Sequence, residues 1–279
     1  MLHGRGFKPD PPGHRYNMFR AVHPAGKLGA VPVYDYTATG GPVQFLPDVY
    51  DQDGTSSCGG HAAGEALSIL LPAQHIALQA KIKPLGCYDV SRMVDRAANS
   101  SGELPELKDD GVMPNELARG LQVWGLPVEG DRSDDKTATD PEYTTWLAAN
   151  INRETTLGEF EKMATRRILT DWTSIADGDP QKSDLMVAAF NAGFPAIGGV
   201  DADDPNFENY DGNGTLMYDG QNPNHMQCWA FWRRAANGLR EFLQINSWGK
   251  QWGDGGRAWV SEQTIDNATF SVLIPRVLT

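Results

Sequence analysis

The chain has 279 residues, and with 40% hydrophobic and 9% aromatic content it can bury one large core or two lobes that share one. Its net charge of −12 makes nucleic acid and anionic membrane surfaces poor general partners, and no apolar run approaches the ~20 residues of a membrane span. The three cysteines, Cys58, Cys87 and Cys228, leave at least one thiol outside any pairing; a Cys87–Cys228 disulfide fits the count, but two buried thiols are the commoner outcome in so cysteine-poor a chain.

Met1 to Gly6 contain no apolar stretch of a signal peptide, so a cytoplasmic location is expected, with virion association or non-classical export as the alternatives. Residues 1–43 read as an extended arm. Pro9, Pro11, Pro12 and Pro24 favour an open path, and short strands are expected near 31–36 and 43–46. The aromatic residues Phe7, Tyr16, Phe19, Tyr34, Tyr36 and Phe45 argue that this arm packs on the body rather than hanging loose.

The stretch Gln52-Asp-Gly-Thr-Ser-Ser-Cys58-Gly-Gly-His61 leads into a helical pattern. Ala62, Ala63, Ala66, Leu67, Leu70 and Leu71 recur at spacings of three and four, predicting a helix from Cys58 to about Ala80, capped by Ser56 or Ser57 and kinked at Pro72. A cysteine at a helix start sits among unpaired N–H groups and at the positive dipole end, both of which favour a thiolate. Further helices are predicted over 89–99, from about Pro114 through Trp124, and at about 143–152, 157–170 and 184–191, the last closed by Gly193. After it the period changes. Residues 196–200, 226–232, 240–245, 257–261 and 270–277 are short apolar or alternating runs between Gly, Asn and Asp clusters, and read as strands. Helices first and strands after predict an α+β fold, with a mainly helical lobe at 44–180 and a strand-rich lobe at 181–279.

Two later residues complete a chemical set. His225 opens one strand run, and Asn246 ends another and begins Asn246-Ser247-Trp248-Gly249. Cys, His and Asn in that order make a nucleophile, a base, and a group that fixes the imidazole tautomer by accepting its N–H. On these residues the chain resembles the papain-like cysteine peptidases. The matching positions are Gln52 through Cys58, His225, Asn246 to Gly249, Trp252-Gly253 and Gly256, and Val90-Ser91-Arg92-Met93 is similar to the bacterial and viral branch of that family. The resemblance implies a two-lobed fold with a cleft between a helical lobe and a barrel-like, strand-rich lobe. It implies Cys58 as nucleophile, His225 as base and acid, Asn246 as its orienter, Gln52 with the Cys58 N–H as oxyanion donors, and Trp248 as a shield over the His–Asn pair. It further implies a peptide or protein substrate and no cofactor.

The chain departs from the family pattern in specific places. Gly59 stands where the family has Trp, and Gly60 follows; the pair is expected to open a subsite wall or loosen the helix start. Arg257 replaces an aromatic. The Cys58-to-His225 interval is longer than the usual ~130–150 residues, implying an insertion best placed at 201–219. The acids there (Asp201, Asp203, Asp204, Asp211, Asp219) do not follow EF-hand spacing and read as a solvated loop rather than a calcium site; Cys58, His61, Cys87 and Cys228 lack zinc spacing. His61, three residues after Cys58, reads as a structural histidine. The short Pro-rich arm is expected to lie over the cleft. Two other readings stand beside the peptidase: a weak or inactive papain-like module serving as a structural or binding part of a larger assembly, and acyl transfer other than proteolysis.

Overall fold

The structure, a computed structural model, describes residues 6–8, 17–18, 42–78, 80–98, 108–131, 136, 142–153, 156–167 and 169–277. The strand expected at 31–36 and most of the arm at 1–43 lie outside them. The central helix, α1 (Cys58–Ala73), has every residue from Cys58 to Leu67 buried, as befits a helix covered on all sides. Helices α2 (Pro84–Ala98) and α3 (Pro114–Trp124) pack together, with α2 against α1, and strand β4 (His225–Arg234) packs against another side of α1. The close approach of α2 depends on Gly60, where a Cβ would lie 2.5 Å from Pro84 O and 2.7 Å from Tyr88 Cβ. At Gly59 it would lie 2.7 Å from the Val112 side chain. The glycines therefore do not open a wall. The neighbouring helix and Val112 fill the space their side chains would take.

The periodicity carries α1 to about Ala80, but the helix stops at Ala73. Pro72 in its last turn contributes no N–H to the ladder, and Gln74 and His75 close the end by donating to Leu70 O (2.9 Å) and Pro72 O (3.0 Å), His75 at φ 58°. Helix α2 begins at Pro84, earlier than the predicted 89, with proline supplying a ready-made first-turn φ. Helix α3 starts as predicted, where Met113 N donates to Glu116 Oε2 at 2.8 Å. Helices α4 (Tyr143–Asn150) and α5 (Leu157–Ala164) follow.

The second of these was expected to reach 170. It ends at Ala164 instead, and the last two residues of its expected span already belong to strand β2 (Leu169–Ile175), inside the lobe expected to be mainly helical. Antiparallel pairing with β7 (Phe270–Val277), from Leu169↔Val277 to Ile175↔Val272, decides this; the β-branched Thr173 and Ile175 suit a pleated surface better than a helix. Residues 42–45, near another expected strand, form a 3-10 turn.

The rest comprises β1 (Asn17–Met18), α6 (Lys182–Asn191), β3 (Ala196–Val200), the short α7 (Pro205–Glu208), β5 (Arg240–Ile245), β6 (Arg257–Ser261) and α8 (Glu262–Ala268). Gly193, at φ 81°, closes α6 as predicted. The strands form one sheet in the order β1-β2-β7-β3-β4-β5-β6, antiparallel except for the β1–β2 pair. The arrangement is α+β, as expected.

Strand β4 is buried on both faces over its first eight residues, and its two-residue period divides the core. Met226, Cys228 and Ala230 join the cluster around α1, while Trp229 and Trp232 join a second cluster with α6, Trp248 and Trp252. A register shift between Trp229 and Phe231 places Ala230 and Phe231 in the same cluster. All three cysteines are free and buried, so Cys87 and Cys228 are thiols rather than a disulfide. Among the described residues no helix is long and apolar enough to cross a membrane.

Candidate active site

Cys58 is the first residue of α1 and is fully buried. Neither expected serine caps the helix through its side chain. Ser57 Oγ is drawn instead to Thr55 Oγ1 (2.7 Å) and His61 Nδ1 (3.2 Å), while Ser56 N donates to both carboxylate oxygens of Asp109 (2.9 and 3.0 Å). Burial pushes the Cys58 thiol up to about 11; the backbone N–H groups of Met226, Gly6 and Gly59 act against that by hydrogen bonding to the sulfur. The thiol thus faces the first turn of its own helix and the residue that follows His225.

His225 and Asn246 come together from different elements. His225 opens β4, and Asn246 follows β5, whose last residue Ile245 pairs with Cys228. His225 Nε2 lies 3.0 Å from Asn246 Oδ1, and both residues are fully buried. With an acceptor oxygen at that distance, Nε2 carries the proton, and Nδ1 is the ring nitrogen that can exchange one with a thiol. Gln227 Nε2 donates to the same Asn246 oxygen at 2.9 Å. The Trp248 ring lies over the imidazole, with centroids 5.0 Å apart and an interplanar angle of 35°.

Gln52 is fully buried and held from both sides. Its Nε2 donates to Thr55 O (2.7 Å), its Oε1 accepts from Ser247 Oγ (2.6 Å), and its backbone N donates to Ser247 O (2.8 Å). Asp51 bridges Trp248 and Gly249 N donates to Tyr50 O (3.0 Å), so the 50–52 and 247–249 segments run as a paired unit. The loop before the cysteine is fastened to the loop after the asparagine.

The 201–219 segment is solvated only in part: Asp203, Asp211 and Asp219 are exposed as expected, but two of its acids are not. Asp201 and Asp204 are buried at 6% and 8% exposure, and their carboxylates accept backbone N–H groups: Asp203 and Asn222 on Asp201, Asn206, Asp219 and Gly220 on Asp204. These bonds fold the segment so that Phe207 on α7 is fully buried. Its ring stands edge-on to Trp248 (5.4 Å) and His225 (6.2 Å) and tilted against Trp252 (5.2 Å), whose Nε1 donates to Phe207 O at 3.1 Å. Sequence reasoning missed Phe207 and Gln227. A lone Phe among acids was the only signal for the first; for the second it was a polar residue at His225+2, hence on the same strand face.

His61 is a structural residue. It meets Ser57 O (2.9 Å) and Tyr143 OH (3.1 Å), and burial lowers it to about 4, which keeps it neutral.

Three residues of the arm run between the Val112 and Asn224 segments. Val112 N donates to Gly6 O (2.8 Å) and Lys8 N donates to Val112 O (3.1 Å) on the helical side; Phe7 N donates to Asn224 O (3.2 Å) beside His225. The Phe7 ring packs on Gly199, where a Cβ would lie 2.6 Å from it, and Lys8 pairs with Asp110 at 3.2 Å. Gly6 to Lys8 thus bridge Val112 and Asn224; most of the arm that was expected to lie over the cleft falls outside the described residues.

No protein-family model matches the sequence, and no curated protein matches it. Solved structures do. Xylellain, a cysteine protease from Xylella fastidiosa, aligns over 100% of this chain and 97% of its own with a TM-score of 0.70 at 19% identity. The proform of the Amb a 11 cysteine protease, a ragweed pollen allergen, aligns over 93% of this chain and 72% of its own (TM-score 0.64, 15% identity). The bromelain protease of Ananas comosus, in complex with the E64 inhibitor, aligns over 85% and 96% (TM-score 0.57, 16% identity). The fold is papain-like.

Proposed function

We propose that this chain is a papain-like cysteine peptidase of the bacterial and viral type that hydrolyses peptide bonds through a thioester. The observation that carries the reading is the buried His225–Asn246 pair, 3.0 Å apart beneath Trp248, at the strand end that faces the Cys58 sulfur. Nothing in fold likeness alone requires that pair, because chemistry resides in the site rather than the fold.

In the proposed reaction His225 Nδ1 takes the Cys58 proton. The thiolate attacks the substrate carbonyl carbon, forming a C–S bond and placing negative charge on the oxygen. Gln52 Nε2 and the Cys58 N–H donate to that oxygen. His225 returns the proton to the departing amine as the C–N bond breaks, leaving the thioester. A water then loses a proton to His225 as it attacks the thioester carbon; the C–S bond breaks, the acid leaves, and His225 returns that proton to the Cys58 sulfur. Asn246 holds Nε2 throughout, and Trp248 and Phe207 exclude water from the pair, which strengthens its hydrogen bond.

The described conformation is a closed one. Gly6 to Lys8 occupy the groove a substrate would need, and the thiol is dehydrated and held protonated at neutral pH. Release of this segment readmits water and lets the helix dipole and N–H groups favour the thiolate. An inactive structural module is the alternative reading, and the same closure favours it.

Epoxide labelling of thiolates separates the two. The chain and a form lacking residues 1–8 are treated at mildly acidic pH and the modified residue is located by mass spectrometry. Selective modification of Cys58, faster after truncation and abolished by His225→Ala, supports the peptidase. Absence of selective modification in the truncated form overturns it.

A further inference from the structure

We infer that Gln227 is a positioning residue: its side-chain amide holds Asn246 with the oxygen, not the nitrogen, turned to His225, and so fixes the imidazole tautomer that can accept the thiol proton. This rests on the peptidase reading for its catalytic consequence, although the geometry is independent of it.

An asparagine amide is nearly symmetrical in shape, so packing alone scarcely distinguishes its oxygen from its nitrogen. Asn246 presents Oδ1 to His225 Nε2 at 3.0 Å and to Gln227 Nε2 at 2.9 Å, and all three side chains are at most 1% exposed. Water cannot compete at such a site, and the orientation is set by the protein's own donors. Were Asn246 to turn over, its NH2 would face the imidazole. Nε2 would then have to give up its proton and accept, moving the proton to Nδ1, where it blocks proton transfer from Cys58. The same rotation would break the Gln227 bond unless Gln227 turned over too, so the two amides move only together. A protonated imidazole excludes the double rotation, because both ring nitrogens then donate and only the oxygen of Asn246 can answer. Gln227 therefore adds a second donor to the arrangement that the imidazolium requires.

The strand explains how it reaches. His225 and Gln227 are two residues apart on β4 and point to the same face; Ile245, next to Asn246, pairs with Cys228. Continued by one residue, that register sets Asn246 opposite Gln227, with His225 two positions along on the same face. An apolar residue at 227 would serve the core equally well, yet here a buried amide stands, with its own Oε1 lacking a hydrogen-bond partner among the described residues. That costs stability, which a purely structural residue would avoid.

The test is the tautomer itself. The full chain labelled with 15N-histidine is compared with Gln227→Met, which keeps the volume and removes the donor; Gln227→Leu serves if Q227M does not fold. At a pH where His225 is neutral, the two ring-nitrogen shifts of the wild type should lie far apart, with Nε2 protonated. In the variant they should move toward each other as the Nδ1-protonated form appears. Truncated forms of both should differ by roughly tenfold or more in kcat with KM within about twofold, since general acid–base catalysis is worth ~100-fold or more in all. Unchanged His225 shifts in a folded variant overturn the inference. The shifts need no turnover: a wild type that fails epoxide labelling while the shifts move as expected refutes the peptidase reading and leaves the positioning role standing.

Discussion

Ser247 Oγ donates to Gln52 Oε1 at 2.6 Å, joining the loop that leads into the candidate nucleophile to the loop that leaves the candidate orienter. The bond is buried and is flanked by the Gln52 N to Ser247 O bond of the backbone. It turns two motifs nearly two hundred residues apart in sequence into one rigid assembly, and it fixes which end of the Gln52 amide is the donor end.

Ser247→Ala should therefore act on chemistry more than on folding. Loss of one buried hydrogen bond costs about 1 kcal/mol of stability. Freed to rotate, Gln52 should lower kcat of the truncated form about tenfold, less than the ~100-fold or more of losing an oxyanion donor outright. Steady-state kinetics beside a denaturant titration measures both; a kcat equal to the wild type would show that Gln52 takes no part.

Gly199→Ala should open the cleft without touching any candidate catalytic group. The new methyl would lie 2.6 Å from the Phe7 ring. Overpacking of that kind costs about 1–3 kcal/mol and falls on the closed form only. Alkylation of Cys58 by iodoacetamide should accelerate roughly tenfold or more, matching the form lacking residues 1–8. Equal rates in the wild type and both variants would show that Gly6 to Lys8 do not limit access to the thiol.

Phe207→Ala removes a fully buried ring from beneath Trp248 and Trp252 and should cost about 3–5 kcal/mol in a chemical denaturation experiment. A change under about 1 kcal/mol would mean that 201–219 is loosely attached after all, as its acids suggest.

Glu65 on α1 predicts an unusual pH dependence. It is 1% exposed, its Oε1 has no hydrogen-bond partner among the described residues, and burial raises it to about 8, with Arg257 pulling the other way. A folded-state value above the unfolded one means that the folded chain holds the proton longer. The stability tied to that proton is fully present below pH ~4.5 and is lost as pH rises toward about 8. Glu65→Gln should leave the denaturation midpoint near its wild-type value at pH 4.5 and raise it at pH 8, by an amount on the order of a few kcal/mol. A difference that does not grow with pH would contradict the buried, protonated carboxyl.

The strand half of the fold was legible because each run between Gly, Asn and Asp clusters is short and apolar, and the observed strands fall on those runs. Strand β2 was not, since its sequence carries no clear period and only the edge of β7 commits it. The ends of α1 and α2 were misplaced because prolines act differently by position: Pro84 begins a helix, whereas Pro72 stops one within a turn. The meaning of Gly59 and Gly60 was inverted. An absent side chain reads as open space in a sequence, while in the fold Val112 and Tyr88 occupy it.

From residue order came the expectation of an α+β fold and, through the resemblance its motifs carry, the proposal that Cys58, His225, Asn246, Gln52 and Trp248 act as one chemical set, because residue types and their order along the chain are linear information. Tertiary structure alone supplied the direction of the Asn246 amide, the Ser247–Gln52 link, Phe207 at the back of the imidazole, and Gly6 to Lys8 bridging Val112 and Asn224. Each of these is a contact between segments far apart in the chain. Such contacts are set by distance and hydrogen-bond polarity, and neither exists until the sheet and α1 have packed.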